Sequence, residues 1–99
     1  MHKVQYTLKP GRIEENERLV RSVFEELRRL KPSGLRYACL REKDRATFVH
    51  LVVSEPDGGV RMTDFPAFRA FAASIGERCD IPPERTELQL IDAYALFDA

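Results

Sequence analysis

The chemistry available to this chain centres on one histidine. His50 stands in the middle of an otherwise apolar run, Phe48-Val49-His50-Leu51-Val52-Val53. An imidazole changes charge near neutral pH, so at such a position it can act as a general base or polarise a bound group. The plainer alternative is a buried histidine whose nitrogens are satisfied by a neighbouring hydroxyl or a backbone carbonyl. Tyr37, in the preceding apolar run, reaches the same space if the two segments pair in a suitable register. With His50 it forms the candidate catalytic pair. Tyr6 and Tyr94 would extend a phenolic lining suited to a flat ligand, and Phe48 shares a strand face with His50. Arg36 completes this candidate ligand-contacting set of Tyr6, Phe48, Tyr94 and Arg36. The competing reading of the arginines is an ion pair, in which Arg36 or Arg41 meets Asp92 to fix register.

Other chemistries find little support. His2 and His50 are not at ligand spacing and no carboxylate cluster accompanies either, so no metal site is expected. Cys39 and Cys79 are far apart and form no C-x-x-C pattern, which makes buried thiols the simplest account of both. No Ser-His-Asp order and no glycine-rich phosphate loop is present. Phe65, Phe68 and Phe71 are spaced for one helical stripe, and packing explains them better than a cofactor box does.

These residues need elements to position them. Lys3 to Lys9 alternates Val4, Tyr6 and Leu8 against Lys3, Gln5 and Thr7, the period of a strand. Pro10-Gly11 ends it, and the apolar stripe Ile13, Leu19, Val20, Val23, Phe24, Leu27 and Leu30 predicts a helix from Arg12 to Lys31. The i,i+4 pairs Glu14 with Arg18, Glu17 with Arg21 and Glu25 with Arg29 agree with it. Leu35 to Arg41 and Thr47 to Ser54 read as a strand hairpin joined through Glu42-Lys43-Asp44-Arg45. A turn at Glu55-Pro56-Asp57-Gly58-Gly59 leads to a second helix capped by Thr63 or Asp64, with Pro66 in its first turn. Phe68, Phe71, Ala72 and Ile75 mark its buried face. Asp80-Ile81-Pro82-Pro83 then reads as a break before a last strand from Thr86 to Phe97, whose end, Ala93 to Phe97, is apolar on both faces and is expected to be buried on both.

The order β-α-β-β-α-β predicts an α+β fold of ferredoxin-like type. Its two helices lie on one face of an antiparallel sheet, within one domain spanning residues 1–99. The other face would be bare, and an apolar bare face invites a second copy of the chain. The composition of 43% hydrophobic and 32% charged residues suits a globular protein. Sixteen basic against sixteen acidic side chains leave no positive field to gather phosphates, so nucleic acid is not expected as a partner. Neither a signal peptide nor a membrane span is read from the chain, and the cytoplasm is the expected compartment.

Several segments in this order resemble the antibiotic biosynthesis monooxygenase group of the dimeric α+β barrel superfamily. They are Val4-Gln5-Tyr6 leading into Lys9-Pro10-Gly11-Arg12, Glu14-Glu15-Asn16, Pro32-Ser33-Gly34-Leu35-Arg36-Tyr37, Thr47-Phe48-Val49-His50-Leu51, Phe65-Pro66-Ala67-Phe68 with Phe71, and Glu77-Arg78-Cys79. The resemblance implies a homodimer whose two sheets form a barrel, with a pocket in each subunit between sheet and helices. It also implies an oxidoreductase that treats a small aromatic or polyketide-like substrate with molecular oxygen, using no flavin and no metal. Haem-degrading relatives share the fold, but this chain has no Trp and no His in its expected second helix. A noncatalytic ligand-binding or interaction module on the same scaffold is the alternative. It would be favoured if the pocket were filled by the chain's own Phe and Leu side chains. An isomerase or decarboxylase on the same pocket would differ only in needing no oxygen.

Overall fold

The computed structural model describes residues 1–43, 45–55 and 60–96. Its elements are β1 (His2–Leu8), α1 (Ile13–Leu30), β2 (Leu35–Arg41), β3 (Thr47–Ser54), a 3-10 turn (Met62–Asp64), α2 (Pro66–Ala73), α3 (Ile75–Arg78) and β4 (Cys79–Glu87). The four strands form one antiparallel sheet in the order β2-β3-β1-β4, which is the ferredoxin-like arrangement expected from the element order.

Alternation decides which side chains meet the helices. Val4, Tyr6 and Leu8 of β1 and Phe48, His50 and Val52 of β3 turn to one face. There Tyr6, Leu8 and Phe48 join Val20 and Val23 of α1, Phe71 of α2 and Cys79 in a continuous core. α1 is held by its amphipathic stripe rather than by a side-chain cap, and it ends on Lys31 in the left-handed conformation, whose N–H reaches the Leu27 carbonyl at 2.8 Å. Acids in its first turn and arginines in its last complement the helix dipole. Glu17 bonds Arg41 of β2 and Arg29 lies nearest Glu26, in place of the i,i+4 partners expected for them.

β2 and β3 occupy the predicted spans, and α1 lies one residue inside its predicted limits at each end. The second helix is interrupted at Ser74, so it forms two short pieces, α2 and α3. Its N-cap is Phe65 with Pro66 following, while Asp64 accepts the Arg61 backbone N–H at 3.1 Å. The expected turn at Pro56–Gly59, Asp44 in the hairpin and Phe97 lie outside the described residues.

The last strand departs most from expectation. β4 begins at Cys79, seven residues before the predicted Thr86, and runs through the proline pair that was expected to break the chain. Register explains the tolerance. Gln5 pairs with Glu84 and Thr7 with Ile81, so Tyr6 alone faces both Pro82 and Pro83. That is a β-bulge on an edge strand, where missing amide donors cost few ladder bonds. Beyond Glu87 the chain leaves the sheet. Ala93 to Leu96, expected to be buried, lie in an exposed segment with Ile91, Tyr94 and Leu96 turned to solvent. Among the described residues no helix is long and apolar enough to cross a membrane.

Candidate functional site

The sheet register puts His50 between two phenols. Val4 and Cys39 are its direct cross-strand partners, whereas Tyr6 pairs with Phe48 and Tyr37 with Val52. Tyr6 and Tyr37 therefore occupy diagonal positions on opposite sides of His50, within reach of long aromatic side chains. The Tyr6 hydroxyl lies 2.7 Å from His50 Nε2, and the Tyr37 hydroxyl bonds Nδ1. Both ring nitrogens are thus engaged. The Cys39 sulfur also lies 3.6 Å from Nε2.

The cluster continues inward through two residues that sequence reasoning did not assign to the site. Asn16, in the first turns of α1, donates from Nδ2 to the Tyr6 oxygen at 2.8 Å. Its Oδ1 accepts from Arg78 Nε at 3.1 Å. Arg78, the last residue of α3, also donates to Ser74 Oγ at 2.9 Å and to the Phe71 carbonyl at 2.8 Å, and its guanidinium lies over the Phe71 ring. Asn16 and Arg78 are both fully buried at 0% exposure, so a cation sits within the core with neutral acceptors around it. The sequence carried a signal for both. Asn16 falls in phase with Ile13, Val20 and Val23, and Arg78 with Phe71 and Ile75, as polar residues on apolar stripes.

An open cavity of about 520 Å³ lies over this cluster. Tyr6, Tyr37 and His50 supply polar groups to an otherwise mainly apolar wall that includes Val4, Val52, Phe68, Phe71 and Ile75. Arg61 and Arg85 also line it, and none of the described lining residues is a carboxylate. Arg85 is bonded to Glu87 at 2.8 Å.

Burial sets the protonation states. It pushes His50 down to about 4, so the imidazole is neutral at pH 7. Tyr6 and Tyr37 are raised by the same desolvation and keep their protons, and Cys39 is pushed up to about 11. A protonated thiol beside a neutral imidazole is not the thiolate pair of a cysteine nucleophile. Among the described residues no group of three His, Cys, Asp or Glu side chains is placed to hold a metal ion.

Of the expected site residues, His50, Tyr37 and Tyr6 come together. The other three lie elsewhere. Phe48 stacks against Tyr6 with ring centroids 5.7 Å apart and lines a separate hollow between α1 and β2. Arg36 is exposed on β2 and is not part of the cavity wall, since its neighbour Tyr37 takes the inward position. Tyr94 is 96% exposed in the segment after β4, outside the cavity of its own chain. Arg41 pairs with Glu17, and Asp92 accepts the Ala93 backbone N–H at 2.8 Å, so neither makes the Arg41–Asp92 pair considered above.

No family model matches the sequence, and no curated protein matches it. Solved structures do. Rv0793 from Mycobacterium tuberculosis superposes with a TM-score of 0.74 at 17% identity, covering 93% of this chain and 94% of that one. A candidate antibiotic biosynthesis monooxygenase from Caulobacter crescentus gives 0.70 at 16% identity, covering 92% and 88%. PA3566 from Pseudomonas aeruginosa gives 0.73 at 17% identity, covering 92% of each. The chain has their fold. The ferredoxin-like architecture expected of the antibiotic biosynthesis monooxygenase group is thereby established, while identities at this level carry no assignment of activity.

Proposed function

We propose that the chain is a cofactor-independent monooxygenase for a flat aromatic or polyketide-like ketone. The observation that carries the reading is the neutral imidazole of His50, tied at both nitrogens to phenols beneath an open, mainly apolar cavity. Such a site suits a planar substrate with one ionisable oxygen. Arg61 in the wall favours an anionic form of it. Because both nitrogens of His50 are occupied, the substrate meets Tyr37 first and His50 acts from behind it. The Tyr37 hydroxyl holds the ketone oxygen while the C–H proton passes to solvent in the open cavity, and the enolate so formed is its own reductant for oxygen. A peroxide forms at that carbon, the O–O bond breaks with loss of water, and a CH2 group and O2 become C=O and H2O.

The openness of the cavity counts against the reading in which the chain's own side chains fill it. The same proposal includes a homodimer. Leu40 and Ile81 of the sheet are 54% and 60% exposed, and a second copy packed sheet to sheet would cover them together with the apolar segment after β4. A stable monomer in sedimentation equilibrium would overturn the dimer.

Anthrone is a fitting first substrate, since it is planar and enolisable and its oxidation yields anthraquinone. Oxygen uptake of one O2 per anthrone is expected, with the rate at least tenfold lower in His50→Ala and Tyr37→Phe. Equal rates in both variants would sink the assignment of the site. Anthrone bound without oxygen uptake would leave a ligand-binding module.

A further inference from the structure

The hydrogen bonds around His50 have a direction, and Arg78 sets it. A guanidinium can only donate, so the Asn16 atom 3.1 Å from Arg78 Nε is the amide oxygen. The amide nitrogen then faces Tyr6 and donates to its oxygen at 2.8 Å. With that oxygen accepting, the Tyr6 hydroxyl proton goes to its remaining partner, His50 Nε2, at 2.7 Å. The protonated Cys39 thiol on the same side also suits an unprotonated Nε2. A neutral imidazole with a bare Nε2 carries its proton on Nδ1, where it donates to the Tyr37 oxygen. The reverse arrangement would make Tyr6 accept twice and strand its own proton in a core where the residue is 1% exposed.

We propose that Arg78 and Asn16 are positioning residues that hold His50 as the Nδ1–H tautomer, leaving the Tyr37 hydroxyl proton free to donate to an accepting oxygen of a ligand in the cavity. The site would then select planar carbonyl compounds and their enolates over hydrocarbons of the same shape. This rests on the cavity being the ligand site, as proposed above, but not on any turnover. The bond from Nδ1–H also strengthens the Tyr37 phenol as a donor, because each member of such a chain polarises the next.

The tautomer can be read without a ligand. Long-range 15N–1H correlation on the imidazole at pH 7 is expected to find the proton on Nδ1, and a proton on Nε2 would overturn the proposal. Asn16→Asp reverses the logic with little change of shape. The new carboxylate accepts from both Arg78 and Tyr6, so Tyr6 turns its proton away from His50, Nε2–H becomes the tautomer, and Tyr37 must donate to Nδ1. An unchanged His50 spectrum in that variant would refute the role given to Asn16.

Fluorenone and fluorene, alike in outline but for one carbonyl oxygen, are the ligand probes. Wild type is expected to prefer fluorenone by about three- to tenfold, the range of one neutral hydrogen bond. That preference should vanish in Tyr37→Phe and, although Tyr37 is intact, in Asn16→Asp. Its persistence in either variant would defeat the proposal. If the tautomer and the preference are as expected while anthrone is not oxidised, the monooxygenase reading alone falls.

Discussion

The two faces of the one sheet are finished to different degrees. On the helix side, Tyr6, Phe48 and Val52 are buried, and Asn16, His50 and Arg78 are buried with every polar side-chain atom partnered among the described residues. On the other side, Ala38 and Leu40 are exposed and Val49, Leu51 and Val53 are only half-covered. Side chains one residue apart along β3 therefore live in different surroundings: His50 is 4% exposed, while Leu51 is only half-covered. The lesson is a division of labour. The polar cluster is complete within a single chain, whereas the other face leaves its apolar side chains partly open.

The comparison breaks most violently at Asn16. Asn16→Leu removes the acceptor of a buried cation and the donor to Tyr6 together, which should lower unfolding free energy by about 3 kcal/mol or more in urea titration. A loss below about 1 kcal/mol would mean that the helix side is not the rigid half. The next effect is pH-dependent. His50 titrates at about 4 in the fold against an ordinary 6.5, so its contribution is fully present above pH 6.5 and is lost as pH falls toward 4. The total is about 3 kcal/mol. Unfolding free energy measured from pH 7 to pH 5, above most carboxylate titrations, should fall in wild type and fall much less in His50→Asn, where His2, lowered chiefly by partial burial, is the histidine left to titrate. The smallest effect should fall on the other face. Leu51→Glu is expected to weaken self-association at least tenfold in sedimentation equilibrium while leaving His50 neutral. If that variant disturbs the His50 spectrum as much as it disturbs assembly, the two faces are not independent.

Much of the helix side was legible in the sequence because periodicity speaks most clearly where one face is dry. Strand alternation located β2 and β3, and it put His50, Tyr6 and Tyr37 on a common face once the register was known. Asn16 and Arg78, quoted only within segments of the family resemblance, were not assigned to the site because the helical stripes were read from their apolar members alone, although each falls in phase with its own stripe. β4 was misplaced for a different reason. Two adjacent prolines ordinarily punctuate a chain, and the Leu88 and Leu90 alternation beyond them offered a tempting strand. An edge strand with a bulge accepts the prolines, and only the pairing with β1 reveals that this is such a place.

The bulge at Pro82-Pro83 also bears on what this protein avoids. β4 is a terminal strand, and a terminal strand with a full row of amides is a template on which further chains can polymerise into fibrils. Two consecutive imino acids interrupt that template, and the kink of the bulge spoils its flatness. Growth of the sheet sideways from β4 is thereby disfavoured, and the proposed dimer would form instead on the broad face, where association can close.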